Sequence, residues 1–475
     1  MTQTRPMFGR FECLTDAETI TSDNVVQVLE DALPNFQRNK ADIQYLYDYW
    51  RGKQGILERT KTYNTDVLNK IVENHAHEIV AFKVGYLVGE PLTLVNASDK
   101  DDKSESIKQL NAYMSAEDKE THDSDLAEWI YMCGVGYRGI FPDKQNELDE
   151  APFEIYTLDP RETFIVKNNG MGHKPLMSVQ VVTNDKLQQK KYYVYTKTHF
   201  YEIQNSKIIS EPKAHLVGDI PIVEYSFNKA KLGIFELILG LLDGINEVSS
   251  NRDDAIENFV QAFLVVKGAN LDKEEFLKLK ELGALLVPDG GDVEYLVQEL
   301  NQMQTQTLVD YMYQTILRIV GMPAMGDGMT SDSSNNGAVI LRNGWTLAEA
   351  RAKEDEKRFK KSEKQFLKIA LRICDKYRNL GLKIFDIESH FTRRNYENVL
   401  EKAQILVMLL ANEKIHPRLA FESCGLFIDP EAAYLMSDKY YAEQEQKQMD
   451  ELKEADATEL SPVDEVIEVE DEGAA

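Results

Sequence analysis

Cysteine is scarce in this sequence, and the cysteines that are present form no pattern. There are four, Cys13, Cys133, Cys374 and Cys424, without a CxxC spacing or a histidine partner. This arrangement argues against a disulfide framework and against a zinc site. We therefore expect four reduced thiols that pack in the core.

Long apolar runs are also missing. The longest, at 403–411, has nine residues, whereas a helix that spans a bilayer needs ~20. The first residues contain no apolar segment of the kind that signal peptides carry. The sequence therefore predicts a protein that is made and kept in a cytoplasm-like compartment and has no membrane partner.

Positive charge is in short supply. The chain has 54 Lys and Arg against 80 Asp and Glu, a formal net charge of −26. Tight, general binding of nucleic acid is disfavoured, because such binding needs clustered cations that displace counterions from the phosphates. An acidic wall would let a duplex pass without sticking, whereas in an ordinary protein the same acidity merely aids solubility. Charge alone leaves both interpretations open.

The motifs of nucleotide and hydrolytic chemistry are absent as well. No GxxxxGK[ST], HExxH, GxSxG or paired-acid pattern stands out. Residues 134–139 match GxGxxG, but a predicted helix precedes them and a predicted strand follows, the reverse of the dinucleotide-binding order. A helix-to-strand turn is therefore favoured and an enzyme is disfavoured. A nucleotide-binding enzyme built around Gly134 and Gly139 remains an alternative.

Metal-ligand spacing is missing too. His75 and His77 are two apart in a predicted helix and face different sides, whereas a shared metal needs an i,i+4 pair. Asp253 and Asp254 lack a third ligand, so a solvated or inter-subunit acidic pair is the favoured interpretation. The aromatic cluster 45–50 is predicted to pack in the core rather than to stack bases or sugars. The sequence thus predicts no catalytic residue, no metal and no cofactor.

The half of the chain before residue 232 contains both helical and alternating patterns. Helices are predicted at 24–39, 41–50 and 69–84, and a surface loop at 100–105. Seven short strands follow, at 137–141, 153–158, 163–167, 176–182, 191–195, 199–203 and 220–225. Short alternating strands separated by polar turns predict an α+β fold with an antiparallel sheet.

The stretch 232–377 is the most distinctive part of the chain. An apolar spacing of three and four predicts one helix over 234–266, about 50 Å long, which needs neighbours to cover its apolar face. A Pro-Asp-Gly-Gly turn at 288–291 predicts a hairpin between 284–287 and 293–297. A second helix at 305–320 precedes a polar loop at 326–337.

The third helix of this stretch, predicted at 345–377, is densely charged. Counted to Arg378, it carries eleven Lys or Arg against six Asp or Glu. A solvated helix laced with i,i+4 pairs explains this pattern as well as a binding surface does. Beyond it come a strand-like run at 382–391, then helices at 397–411, 417–422 and 430–451. An acidic tail from about 446 has the composition of a disordered segment.

Several segments, taken together in their order, carry a resemblance. They are Tyr-Asp-Tyr-Trp-Arg-Gly-Lys-Gln-Gly-Ile at 47–56, Asn-Lys-Ile-Val-Glu-Asn at 69–74 with Lys-Val-Gly-Tyr-Leu-Val-Gly-Glu-Pro at 83–91, Asp-Pro-Arg at 159–161, the run 243–259 closed by Leu-Val-Val-Lys-Gly at 264–268, and Asn-Gly-Ala-Val-Ile-Leu-Arg at 336–342. They resemble the portal proteins of tailed bacteriophages, specifically the SPP1-like portal family, over roughly 28–445.

The resemblance implies an α+β, portal-type subunit with wing, long-helix stem, small α/β clip and helical crown, assembled as a ring. Its expected parts are the wing at 1–231, a stem helix at 232–267, the clip at 268–299, a second stem helix at 300–325, a tunnel loop at 326–342, the long helix and return strand of the wing at 343–396, the crown at 397–445 and the acidic disordered tail at 446–475.

The function implied by the resemblance is a non-enzymatic, ring-shaped channel at one capsid vertex for DNA packaging and ejection. Expected partners are eleven further copies, duplex DNA passing without sequence specificity, terminase, neck and head-completion proteins, and capsid and scaffolding proteins. The expected location is the virion, with the host cytoplasm during assembly. A coiled-coil scaffold or adaptor, whose charged helix binds partner helices, is a further alternative.

The resemblance also assigns two sets of site residues. The tunnel loop is expected to line the constriction with Asp327, Met329, Thr330, Ser331, Asp332, Asn335 and Asn336. Because the loop has few bulky or basic side chains to hold DNA, we expect sliding contact, with the two aspartates repelling phosphate. The clip is expected to face terminase with Lys273, Glu274, Lys278, Asp289 and Asp292.

Overall fold

The computed structural model describes most of the chain in twelve stretches. They are 9–61, 67–97, 103–143, 151–184, 189–215, 217–260, 263–267, 292–296, 302–323, 344–392, 399–427 and 430–459. The chain divides into two compact units, Met1–Arg394 and Asn395–Ala475. We call the first unit the body and the second the helical unit.

The described residues form helices in both units. The body contains α1 Val25–Trp50, α2 His75–Val88, α3 Ser104–Ala116, α4 Lys119–Cys133, α5 Leu239–Val260, α6 Gln302–Val320 and α7 Trp345–Tyr377, and the helical unit contains α8 Val399–Leu410, α9 Pro417–Cys424 and α10 Pro430–Glu459. Single 3₁₀ turns lie at Gly55–Glu58, Glu236–Ile238 and Ile384–Asp386. Within the described stretches, no helix combines the length and the apolarity that a bilayer crossing requires.

The strands belong to the body. They are β1 Cys13–Thr15, β2 Thr93–Asn96, β3 Gly136–Pro142, β4 Phe153–Leu158, β5 Thr163–Asn168, β6 Pro175–Asn184, β7 Gln189–Tyr195, β8 His199–Gln204, β9 Lys207–Ile208, β10 Lys213–Ala214, β11 Ile222–Tyr225, β12 Phe263–Lys267, β13 Asp292–Leu296 and β14 Ile387–His390. The seven strands predicted between 137 and 225 are confirmed, each to within two residues.

These strands form four sheets. The largest has the order β1-β5-β6-β7-β8-β10 with β9 on β8, and the others are β11-β3-β4, β12-β13 and β14-β2. Apart from the parallel pair β1 and β5, neighbouring strands are antiparallel. Hairpins joined by short turns produce this pattern, and the α+β prediction is confirmed.

Two apolar cores hold the body together. The smaller lies between the first half of α1 and the large sheet, where Phe36 stacks on Phe164 with ring centroids 4.4 Å apart. The larger joins the second half of α1 to α2, α4, α5, α6 and α7. Helix α1 therefore spans both cores, and it runs unbroken where two helices were predicted, with Pro34 inside it.

The predicted helix over 234–266 is wrong at its C-terminal end. Helix α5 ends at Val260, and Phe263–Lys267 is strand β12, paired with β13. A short run of apolar and β-branched residues satisfies either periodicity, so the pattern alone could not separate the two. The partner predicted for 293–297 was 284–287, which lies outside the described residues.

The neighbours that the apolar face of this helix was predicted to need lie, for its first half, within the same chain. Leu239, Leu242 and Ile245 are buried within the body's own larger core. The helix packs against α6, the 3₁₀ turn Gly55–Glu58 and the segment 67–74 that precedes α2, because distant parts of the sequence return to it. Among the side chains of this helix that the structure describes, the large apolar one left exposed is Ile256, at 40%.

The remaining comparisons concern where helices begin and end, and one helix that was not predicted. The second and third helices of the distinctive stretch are confirmed, α7 with its predicted ends and α6 from three residues earlier. Helix α3 was missed, because its polar start resembles the loop predicted at 100–105. The tail predicted to be disordered from 446 is helical as far as Glu459 in α10, since its Glu, Gln, Lys, Ala and Leu are strong helix formers.

Candidate functional site around helices α2 and α5

An extended segment, 67–74, runs along one face of α5 and is held there by side chains. Three backbone N–H groups donate to three helix side chains: Asn69 to Asp254 at 2.7 Å, Ile71 to Ser250 at 2.9 Å, and Glu73 to Asn246 at 2.8 Å. The acceptors are four residues apart, about 6 Å along a helix, and the donors two apart, about 6.7 Å in an extended chain. The two spacings match, so a ladder forms.

The ladder explains why α2 begins at His75 and not at residue 69 as predicted. Alternate N–H groups of the segment are used by side chains of α5, so the segment stays extended and the helix starts after it. The side chain of Asn74 adds a bond to the carbonyl of Trp50 at 2.8 Å. The sequence does contain a signal for this contact, namely polar residues at a spacing of four on α5. They are Asn246, Ser250 and Asp254, and no prediction was drawn from them.

Asp254 is the charged end of this ladder. Arg59 donates to its carboxylate at 2.8 Å and Lys61 lies at 2.5 Å. Burial alone would raise the pKa of Asp254, but the bonds from Lys61 and the Asn69 N–H, with the charge of Arg59, hold the pKa below its ordinary value. The predicted solvated or inter-subunit pair is therefore wrong for Asp254, which is buried in an ion pair within the chain, whereas Asp253 is exposed.

Helix α2 contacts α6 through a polar cluster at its first turn. The hydroxyl of Tyr313 donates to Glu78 at 2.7 Å, His75 Nδ1 lies 2.7 Å from the other oxygen of Glu78, and the rings of His75 and Tyr313 are 4.6 Å apart. Burial opposes charge on His75, but the bond to Glu78 raises its pKa above the ordinary value. His75 is thus engaged with α6, and His77 packs against Trp50.

Further along α2, Lys83 reaches the end of α6. Its Nζ donates to the carbonyl of Gly321 at 3.1 Å, and the side chain is buried. Gly321 has a φ of +67°, the left-handed conformation that ends helices and favours glycine. Burial lowers the pKa of Lys83 to about 8, and burial raises the pKa of Asp355 on α7, which faces Lys83, to about 6.

The same helix also holds the start of α7. Phe82 and Tyr86 pack around Trp345, with centroid distances of 6.2 and 5.9 Å, and the Tyr86 hydroxyl donates to Glu349 at 2.9 Å. One face of α2 therefore fixes the residues on both sides of the segment 324–343. That segment itself lies outside the described residues.

A buried ion cluster fastens α7 to the small sheet. Glu363, fully buried on α7, accepts from Arg138 at 3.2 Å and from the Tyr225 hydroxyl at 2.8 Å, and it lies 3.0 Å from Lys119. Asp123 pairs with both Arg138 and Lys119. Two anions facing two cations explain how a charged residue occupies the apolar stripe of α7. The sequence offered one unused signal, a glutamate between Phe359 and Phe366 on that stripe.

The remaining sequence predictions within the described residues have clear outcomes. Gly134 caps α4 with a φ of +83°, and β3 follows it, so the helix-to-strand turn is confirmed and the dinucleotide-binding interpretation is wrong. A Cβ on Gly134 would lie 2.1 Å from the carbonyl oxygen of Lys231. The four cysteines are free and buried, as predicted. No cluster of three or more metal-ligating side chains occurs in the described part of the chain.

The aromatic cluster 45–50 packs in the core, as predicted. Tyr47 stacks on Trp129 at 5.7 Å, and Arg161 lies over the Tyr47 ring at 4.3 Å while its guanidinium binds Asp159. Two of the segments that carry the family resemblance, 47–56 and 159–161, therefore meet in one contact.

Of the predicted tunnel-loop and clip residues, Asp292 alone lies within the described residues. Asp327, Met329, Thr330, Ser331, Asp332, Asn335 and Asn336 lie outside the described residues, as do Lys273, Glu274, Lys278 and Asp289. Asp292 is the first residue of β13 and pairs in register with Lys267. The structure does describe residues that flank both regions. The β12-β13 ladder flanks the predicted clip, and the residues that α2 contacts flank the predicted tunnel loop.

The class of protein to which these elements belong is the phage portal protein. The family model described as "Phage portal protein, SPP1 Gp6-like" matches residues 29–459. The chain therefore belongs to the SPP1-like portal family, and the resemblance drawn from the sequence is confirmed. It is a portal protein of the capsid vertex.

Solved structures of low sequence identity resemble the chain in part. The neck of an empty GTA particle computed with C6 symmetry gives a TM-score of 0.48 at 15% identity, over 74% of this chain and 90% of the other. The neck of a native GTA particle computed with C12 symmetry gives 0.47 at 14% identity, over 74% and 89%. The virion of a native gene transfer agent particle gives 0.45 at 14% identity, over the same shares. No relative was found among curated proteins.

Proposed function

We propose that twelve copies of this chain form a ring at the capsid vertex, and that DNA enters and leaves the capsid through its central channel. The observation that carries this proposal is the grip of α2 on both flanks of segment 324–343. A portal channel needs its narrow part fixed to a rigid frame. Lys83 at one flank, with Phe82 and Tyr86 at the other, supplies such a frame from one helix.

Exposed apolar side chains support the assembly of copies. On α6, Met303 is 81% and Tyr311 67% exposed, and Leu308 and Ile319 are exposed as well. Side chains of this size cost free energy in water, about 1.5–3 kcal/mol each relative to burial. A closed ring would cover them with a neighbouring copy and would leave no open end on which chains could continue to add.

The parts of the proposed channel follow the family pattern. Helices α5 and α6 form the stem, the region 268–299 forms the clip that docks terminase and later the neck proteins, and 326–342 forms the tunnel loop. In the loop, Asp327 and Asp332 repel phosphate, while Met329, Thr330, Ser331, Asn335 and Asn336 provide sliding contacts. Terminase supplies the energy, so the portal itself needs no catalytic residue. The protein assembles in the host cytoplasm, where it also meets capsid and scaffolding proteins.

The ring is tested by negative-stain microscopy and light scattering of the purified chain. We expect rings with a central hole and a mass of about twelve subunits. A monodisperse monomer or dimer would contradict the proposal, whichever residues line the channel.

The loop assignment has its own test. Deletion of 331–336 should leave ring assembly intact and block DNA packaging or retention in a complementation assay. Met171→Ala, in the exposed turn 169–172 of the body, serves as a control and should affect neither. Unchanged packaging after the loop deletion would show that 326–342 is a connector and not the constriction.

A further inference from the structure

Helix α7 carries a row of positive charge on its exposed face. Spacings of four, four, three, four and four residues place the side chains on one side of the helix, and all of them are exposed. The opposite face is buried through Phe359, Phe366 and Ile373, so the backbone beneath the row is held in place. We call the row the basic stripe, and it consists of Lys353, Lys357, Lys361, Lys364, Lys368 and Arg372.

The ends of the basic stripe are paired with carboxylates of the same chain. The pairs are Lys353 with Glu349 at 3.6 Å, Lys357 with Glu354 at 3.9 Å, and Arg372 with Asp219 at 2.8 Å. Exposed pairs of this kind are typical of a solvated helix face. The two ends therefore need no further partner.

The centre of the basic stripe differs from its ends. No ion pair joins Lys361, Lys364 or Lys368 to any other residue that the structure describes. Residues 358–373 contain one carboxylate, Glu363, and it is buried in the ion cluster on the other side of the helix. Like charges one turn apart repel each other. An anion bound at the centre would therefore stabilise the helix.

The body already contains an extended segment that lies along a helix at such a spacing. Segment 67–74 lies on α5 because groups two apart in an extended chain match side chains four apart on a helix. The three central lysines are spaced by about 4.5 and 6 Å along the axis of α7, and alternate residues of an extended chain are about 6.7 Å apart. Lysine and glutamate side chains are long enough to absorb the difference. An extended segment with a carboxylate at every second residue therefore matches the centre in charge and in spacing.

The charge around the stripe favours one acidic segment over duplex DNA. Exposed carboxylates lie at the two ends of the stripe, at Glu354 and Asp375, about 31 Å apart at 1.5 Å per residue. Seven extended residues reach about 23 Å and fit between them. A duplex would run past both carboxylates, and the net charge of −26 repels it.

We propose that the centre of the basic stripe is a docking surface for an acidic segment of a partner protein, which binds in extended form with glutamates or aspartates at alternate positions. The contact requires neither the ring nor the channel, so it goes beyond the proposed function. It also separates the two interpretations of the charged helix: its ends are a solvated face, and its centre is a binding surface.

The first test measures the binding of a fluorescent synthetic peptide, Glu-Thr-Glu-Thr-Glu-Thr-Glu, to the purified full chain by anisotropy. The triple variant Lys361→Gln, Lys364→Gln, Lys368→Gln should weaken binding by at least about tenfold, since it removes three ion pairs. Unchanged binding in this variant would overturn the proposal.

The control for this test is a triple variant that removes the same charge elsewhere in the body. Lys190→Gln, Lys207→Gln, Lys213→Gln changes three exposed lysines of the large sheet and should weaken binding by less than about twofold, because these residues do not contact the peptide. An equal loss in the two triple variants would show that the peptide responds to net charge alone and that the proposal is wrong.

The spacing is tested with a permuted peptide of the same composition, Glu-Glu-Glu-Glu-Thr-Thr-Thr. It should bind several-fold more weakly than the alternating peptide, because its carboxylates do not form one row on an extended chain. Equal affinity of the two peptides would contradict the match in spacing on which the proposal depends.

A short fluorescent DNA duplex under the same conditions separates the two classes of polyanion. It should bind more weakly than the alternating peptide, and the stripe variant should leave its binding unchanged. Duplex binding that is tighter than peptide binding, and that is lost in the stripe variant, would show that the stripe is a DNA surface and that the proposal is wrong.

Discussion

The body and the helical unit bury their side chains in different ways. The body has two apolar cores and also buries whole ion pairs, such as Arg138 and Glu363. In the described part of the helical unit, the buried apolar residues are Ala420, Phe421 and Cys424. Its exposed large apolar residues are more numerous: Ile405, Val407, Met408, Leu410, Leu419, Leu435, Met436, Tyr440, Tyr441 and Met449.

This difference in burial indicates which region can be stable by itself. A fold buries charge only where surrounding packing already fixes both partners, because desolvation costs several kcal/mol per ion. The body therefore holds its structure from within. Helix α8 is apolar on several sides, which is typical of a helix that is covered all round, so the helical unit depends on neighbours to complete it. Four substitutions test this contrast.

The largest effect is expected at the centre of the body's ion cluster. Glu363→Gln removes the anion that faces Arg138 and Lys119 while keeping the shape of the side chain. Loss of one partner of a buried pair typically costs about 3–5 kcal/mol, so the unfolding free energy, measured by urea unfolding with circular dichroism, should fall by that amount. Glu354→Gln on the exposed face of the same helix should change it by less than about 0.5 kcal/mol. Equal effects of the two variants would show that the cluster does not hold α7.

The next effect is pH-dependent and arises at Lys83. Because burial lowers its pKa from 10.5 to about 8 in the folded chain, the unfolded chain binds more protons between those pH values. Stability therefore rises with pH across this window, by about 3 kcal/mol at 1.36 kcal/mol per unit. The difference in unfolding free energy between the wild type and Lys83→Met should grow by that amount from pH 8 to pH 10.5.

The control for Lys83 is a lysine whose side chain is exposed to water. Lys357 on α7 has a side chain that is 76% exposed, so Lys357→Met should show a stability difference that stays flat across the same pH window. A flat difference for Lys83→Met as well would mean that Lys83 is hydrated, and that the bond to the Gly321 carbonyl is not buried.

A smaller effect is expected in the ladder on α5. Ser250→Ala leaves the N–H of Ile71 without its acceptor, and an unsatisfied polar group costs about 1–3 kcal/mol when buried. Amide hydrogen exchange at Ile71 should accelerate, and the unfolding free energy should fall within that range. Ser115→Ala, at an exposed serine of α3, provides the same chemical change without a lost bond. If hydrogen exchange at Ile71 were unchanged, water would be serving as the acceptor.

The outcome of the sequence predictions follows the same contrast between local and distant information. The strands between 137 and 225 and helix α7 were predicted well, because period and turn residues are local. The start of α2 at His75 was missed, since its cause is Asn246, Ser250 and Asp254 more than a hundred residues away. The contacts of α2 with the residues on both sides of 324–343 were missed for the same reason, because they also join distant parts of the sequence. The positions of Lys83 and Tyr86 in the structure show these contacts.

The smallest effect on folding, and the sharpest contrast with the body, is expected on the helical unit. Met408 on α8 is 73% exposed, so Met408→Gln should change the unfolding free energy of the dissociated chain by less than about 0.5 kcal/mol. If a neighbouring copy covers this side chain in the ring, the substitution removes about 1.5–3 kcal/mol of burial at each contact. Sedimentation velocity should then show that a higher protein concentration is needed to assemble half of the subunits. Met171→Gln, at a methionine of the body that is 99% exposed, should shift neither measurement. If Met408→Gln changed neither measurement, ring closure would not cover this side chain, and the exposed apolar residues of the helical unit would serve some contact other than ring closure.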